Sequence, residues 1–180
     1  MTDARLKKLA DVLVNYSVAI KKGEWVGIRG DASALPALRA TYEAVVRSGG
    51  FPTLFITDEA MTRAYLREAS EDQLAWLDPT MQQFSEKADA MITFFSSNNT
   101  RAMTAIDSKK MQVAQRARMP LFQNTMRRTA AGEFKWVVTQ YPIEAYAQEA
   151  NMSLEDYQDF VYGATYCTLA DPVAEWRKVA

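Results

Sequence analysis

The stretch from Glu24 to Thr57 constrains the fold more than any other part of this 180-residue chain. It opens with a short apolar run, Trp25-Val26-Gly27-Ile28, followed by Arg29-Gly30-Asp31. Leu35, Leu38, Tyr42, Val45 and Val46 then recur at three- and four-residue steps, the spacing of one helical face. Pro36 sits near the start of that helix, where a missing N–H costs little. Gly49-Gly50 stops the pattern, and Phe51-Pro52-Thr53-Leu54-Phe55-Ile56-Thr57 reads as a second strand. Strand, helix, strand is a crossover unit, which places its two strands parallel. The unit predicts a fold, and no chemistry follows from it.

The remaining segments extend this pattern. Leu6, Leu9, Leu13 and Tyr16 share a helical face, so a helix is expected from Asp3 to about Ser17, capped by Thr2 or Asp3. After Thr57, Met61, Tyr65 and Leu66 share another face. Ser70-Glu71-Asp72-Gln73 has the form of a capping box, and Pro79 opens a short helix to about Lys87. Ala90-Met91-Ile92-Thr93-Phe94-Phe95 is nearly continuously apolar, as a buried parallel strand would be, and a polar loop over 96–100 follows it. Asp107 is a suitable N-cap for a helix from Ser108 to Arg118, which Pro120 is expected to end or kink before another helical piece to about Arg128. Phe134 to Thr139 is the last predicted strand, followed by helices over Ile143–Ala150, after Ser153, and after Asp171-Pro172. About four strands interleaved with helices argue for a single α/β domain over 1–180, a three-layer arrangement with a mostly parallel sheet.

Composition excludes several kinds of chemistry. The chain contains no histidine, which removes the Ser-His-Asp triad, the Cys-His dyad and every His-containing zinc site from its own residues. A single cysteine rules out an internal disulfide and suits a reducing compartment. The formal net charge of −1 gives no global attraction to nucleic acid or anionic lipid. No apolar run approaches the roughly twenty residues that span a bilayer. The expected location is the cytoplasm, with neither nucleic acid nor membrane as a partner.

No motif carries a reaction. The turn after the first strand lacks the glycine spacing of a dinucleotide fingerprint and the lysine of a P-loop. Gly30, at the point where strand must become helix, is expected to need a positive φ. Arg29-Gly30-Asp31 spells an adhesion tripeptide, taken here as chance. The basic residues between Arg101 and Arg128 read as a solvated helix face rather than a phosphate-binding stripe. Glu71-Asp72 and Glu155-Asp156 are accounted for by helix N-termini, where negative charge is favourable. If the domain takes a small ligand, it should sit at the strand C-termini, near Gly30 and Asn98. No residue is a candidate for catalysis or for binding a metal.

Four stretches carry a resemblance to a known family. Leu9 to Gly30, LADVLVNYSVAIKKGEWVGIRG, resembles the N-terminal segment of the metal-dependent aminopeptidases of the aminopeptidase T and aminopeptidase S type. Gly132 to Tyr146, GEFKWVVTQYPIEAY, resembles that family's Trp-containing strand and Tyr-Pro turn. Ala147 to Phe160, AQEANMSLEDYQDF, is similar to its following helix pair, and 171–176 to its closing Asp-Pro-Val segment. The resemblance implies the N-terminal, non-catalytic α/β domain of a metallo-aminopeptidase that hydrolyses N-terminal residues from peptides. It further implies a homodimer and, as partner, a C-terminal catalytic domain of the same protein holding two divalent metal ions of zinc or cobalt type. The alternative is a stand-alone binding or scaffold protein of the same fold. A surface built to be covered by that second domain is expected at Tyr141, Ile143, Tyr146 and Trp176.

Overall fold

The computed structural model describes residues 3–179. Four strands, β1 (Trp25–Asp31), β2 (Phe51–Thr57), β3 (Ala90–Phe95) and β4 (Lys135–Gln140), form one sheet in the order β2-β1-β3-β4. Every neighbouring pair is parallel. The α/β class and the helix-flanked parallel sheet expected from the sequence are what the chain adopts. The order reverses at β1: β2 lies on one side of it and β3 on the other.

The register divides each strand between two faces. On β1, Val26, Ile28 and Gly30 face one way, level with Ala90, Ile92 and Phe94 of β3. Against this face pack α1 (Ala4–Val12) and α2 (Leu35–Arg47), bringing Leu6, Leu9, Leu38 and Val45 into the main core. Ile28, Leu38, Val45 and Ile92 are completely buried, and each such side chain contributes about 1.5–3 kcal/mol. Asp3 caps α1 by accepting a hydrogen bond from the Arg5 amide at 2.9 Å. Thr2, the other cap considered, lies outside the described residues. Beyond Val12 the helix widens into a π turn over Leu13–Ser17, so one helical segment still reaches Ser17. Cys167, a free thiol, is fully buried in this core, where burial pushes its pKa above the usual value.

The opposite face carries Trp25, Gly27, Arg29 and Asp31 of β1, with Met91, Thr93 and Phe95 of β3 beside them. Here α5 (Pro79–Lys87) places Phe84 over Gly27, and Phe84 meets the edges of Trp25 and Phe55 at centroid distances of 5.1 and 4.9 Å. The surface helices α3 (Glu59–Glu68) and α4 (Glu71–Ala75) also lie between β2 and β3, and Ser70 and Gln73 make both bonds of the capping box. The long helix α6 (Ser108–Ala130) packs on α3, α4 and α5. The chain closes with α7 (Glu144–Glu149), α8 (Leu154–Ala164) and α9 (Pro172–Val179).

Three sequence expectations are corrected. Pro120 neither ends nor divides α6, which runs unbroken through it. Pro120 and Arg116 are both exposed, so the carbonyl that loses its i+4 donor is open to water. Gly30 does not adopt a positive φ; among the glycines only Gly23, Gly49 and Gly132 do. What requires glycine at position 30 is space: a Cβ there would lie 2.9 Å from Leu38 Cδ2 and 3.4 Å from Phe94 Cβ. Gly30→Ala is therefore expected to cost about 1–2 kcal/mol through overpacking, seen as a lower urea midpoint at constant slope. An unchanged midpoint would refute the packing argument.

The third correction concerns the surface. None of Tyr141, Ile143, Tyr146 and Trp176 is exposed. Ile143 is buried, and the other three are half-buried. Tyr141 packs on the main core, and the Trp176 indole donates to the Thr165 carbonyl at 3.3 Å. Exposed apolar side chains lie elsewhere. Phe95, Trp136 and Val138 share the α5 side of the sheet, and Phe51, Leu54 and Ile56 lie on the edge strand β2.

Candidate functional site

A cleft of about 270 Å³ opens at the C-terminal ends of β1 and β3, where the strand order reverses. In open parallel sheets this crevice is the usual place for a ligand, because the two flanking connections leave on opposite sides of the sheet. Strand alternation puts Arg29 and Asp31 on the same side of β1, two residues apart, and Thr93 lies level with Arg29 on β3. Ser96 and Ser97 enter from the loop after β3, and Glu59 from the first turn of α3.

Most polar groups here are already held. Asp31 accepts from the Ser33 amide at 3.2 Å and so caps the short turn that leads into α2. Glu59 Oε2 accepts from the Ser97 hydroxyl and the Asn99 amide, both at 3.0 Å, which ties α3 to the loop. The Ser97 amide donates to the Tyr146 hydroxyl at 3.0 Å. Two groups stand apart from this network. The Ser96 hydroxyl is buried and has no hydrogen-bond partner. Arg29 is half-buried and makes neither an ion pair nor a hydrogen bond among the described residues. Its guanidinium lies 6.0 Å from the centre of the Phe55 ring. Burial, and then repulsion from Arg118 of α6, lower the Arg29 pKa from its ordinary value.

Gly30 contributes backbone to the cleft, while its missing side chain faces the core. Asn98 is exposed in the loop after β3 and is not part of the cleft wall. Sequence reading named Gly30 and Asn98 at these strand ends and did not single out Arg29, Glu59 or Ser96, which line the cleft. The alternation Val26, Ile28, Gly30 could have flagged Arg29, since it leaves that charge on the other, helix-covered face. The basic residues of α6 and the loop before it do not act as one surface. Arg128 is buried and donates to the Ser85 and Glu133 carbonyls at 3.1 and 3.2 Å, and Lys110 donates to the Ala69 carbonyl at 3.0 Å beyond the end of α3.

The sequence model of the thermophilic metalloprotease (M29) family matches residues 2–180. The chain belongs to that family. Among solved structures it is similar to wild-type AmpT from Thermus thermophilus, with a TM-score of 0.73 and 22% sequence identity. The match covers 97% of this chain and 45% of that one, so the chain spans less than half the length of that structure. No curated protein matches the chain. The M29 family is a metallopeptidase family, and membership implies divalent metal. The residues of this chain do not fit such a centre. There is no histidine, and among the described residues no group of three or more His, Cys, Asp or Glu side chains is placed to hold a metal ion. Of the two carboxylates of the cleft, Asp31 accepts from one amide and Glu59 from an amide and a hydroxyl, each through one oxygen. Among the described residues, no helix is long and apolar enough to cross a membrane.

Proposed function

We propose that this chain is the N-terminal, non-catalytic domain of a metal-dependent aminopeptidase. In this reading, the two divalent metals, of zinc or cobalt type, are held by a C-terminal domain of the same protein. The observation that carries the proposal is an M29 sequence over residues 2–180 in a chain with no histidine. The solved relative, more than twice as long as this chain, supports it. So does the exposed apolar row of Phe95, Trp136 and Val138, which a second domain could cover. The substrate class proposed for the whole enzyme is peptides with a free N-terminus, its assembly a homodimer, and its location the cytoplasm.

A second reading, a stand-alone binding domain that keeps the fold without the chemistry, is favoured by one observation. The positions expected to face a missing domain, Tyr141, Ile143, Tyr146 and Trp176, are all at least half-covered within this chain. The two readings share an expected result. The purified 180-residue chain should release no N-terminal residues from peptides with added Zn²⁺ or Co²⁺. Release that co-purifies with the chain and is abolished by a chelator would overturn both. An antibody raised against the chain separates them: a native product much heavier than 180 residues supports the first reading, and one of the same size the second.

A further inference from the structure

We propose that the cleft at the ends of β1 and β3 binds a small zwitterion of the amino-acid class, its carboxylate on Arg29 and its ammonium on Asp31. The inference does not depend on the peptidase reading.

The argument begins with an ion pair that does not form. Arg29 and Asp31 have opposite charge, lie on the same face of one strand, and are separated along it by about 6.6 Å. Neither reaches the other, because each is anchored elsewhere. Arg29 lies against the Phe55 ring, and Asp31 is held by the Ser33 amide. Asp31 uses one carboxylate oxygen in that bond, which leaves the other for an incoming ammonium. A guanidinium kept partly out of water with no acceptor is costly, and a carboxylate would satisfy it with two parallel bonds.

The walls point the same way. Ser96 lines the cleft and its buried hydroxyl has no partner, and Thr93, level with Arg29, lines the cleft too. Both can serve a ligand's polar atoms. The Thr57 and Thr62 hydroxyls are already spent on the Gly30 and Asp58 carbonyls at 3.3 and 2.9 Å. The charge balance disfavours a plain anion, because the cleft holds Asp31 and Glu59 beside Arg29. A plain cation would leave the Arg29 guanidinium still without an acceptor. A volume of about 270 Å³ falls just below the roughly 300 Å³ at which drug-sized pockets begin, so the ligand is small.

The test is an amide and Arg Nε–H NMR titration of the whole chain with glycine, and separately with acetate, methylammonium and inorganic phosphate. Glycine should shift the Arg29 Nε–H and the Ser96 and Ser97 amides saturably. Acetate and methylammonium should bind at least about tenfold more weakly, since each makes only one of the two charged contacts. Arg29→Lys and Asp31→Asn should each weaken glycine binding by about tenfold or more. Asparagine caps a helix as well as aspartate does, so Asp31→Asn preserves the turn and decides the matter should Arg29→Lys disturb the fold. The absence of a saturable shift with glycine overturns the proposal. So does acetate or phosphate binding as tightly as glycine, which would make this a simple oxyanion site, and so does an Asp31→Asn chain that binds glycine unchanged.

Discussion

Phe84→Ala is expected to lower the stability of the chain by about 3–5 kcal/mol, the largest loss from any single truncation on the α5 side of the sheet. Phe84 is buried and is the ring that both Trp25 and Phe55 meet edge-on, so its removal opens a cavity and breaks two aromatic contacts. The same ring explains Gly27. A Cβ at position 27 would lie 2.4 Å from Phe84 Cζ and 2.9 Å from Met91 Sδ. The ring has little freedom to retreat, being flanked by Trp25 and Phe55. Gly27→Ala alone should therefore cost about 1–3 kcal/mol through overpacking. In the Phe84→Ala background the added methyl enters space the ring has vacated, so the double variant should be more stable than the sum of the single losses predicts. Urea denaturation of the four chains measures the coupling. Simple additivity would show that Gly27 is not there to admit Phe84.

Arg128→Ala is expected to cost about 3 kcal/mol, because charge-assisted hydrogen bonds contribute about 1.5–3 kcal/mol and this guanidinium makes two. It joins the Ser85 carbonyl on α5 to the Glu133 carbonyl just before β4, and it lies 5.6 Å from the Phe134 ring centre. Truncation leaves the Glu133 carbonyl short of a partner, whereas the Ser85 carbonyl keeps the Asn124 amide at 2.9 Å. The ion pair with Glu133 is a minor part, since that carboxylate is more than half exposed at 3.6 Å. Arg128→Lys should recover only part of the loss, because one ammonium cannot span two carbonyls in the geometry of a guanidinium fork. Thermal or urea melts of the two variants check this, and an Arg128→Ala chain as stable as the parent would return the residue to the solvated face assigned to it from sequence.

Arg128 also illustrates which parts of the fold were legible in the sequence. Periodicity revealed α2, and short apolar runs revealed β1 and β3, because their apolar residues follow the pattern their burial requires. Capping chemistry revealed Asp107 and Ser70, since those signals are local. Pro120 misled because its penalty depends on whether the orphaned carbonyl can reach water, which is a tertiary fact. The same holds for Arg128, whose six basic companions between Arg101 and Arg127 give no hint that it alone is buried. The crossover pattern directed attention to the strand ends where the cleft lies, but the acid on α3 and the serine after β3 join Arg29 in its wall only in three dimensions. No single-chain pattern joins positions 29, 59 and 96.

The lone thiol has a practical consequence. Cys167 has no surface exposure, and burial raises its pKa, so the reactive thiolate is scarce while the core stays closed. Alkylating reagents can then modify the chain only from molecules that have opened around that core. The labelling rate reads out the free energy of that opening directly, in the unaltered protein and without denaturant. Every substitution discussed above leaves Cys167 in place, so one pulse of a maleimide followed by mass spectrometry would rank them all on a common scale.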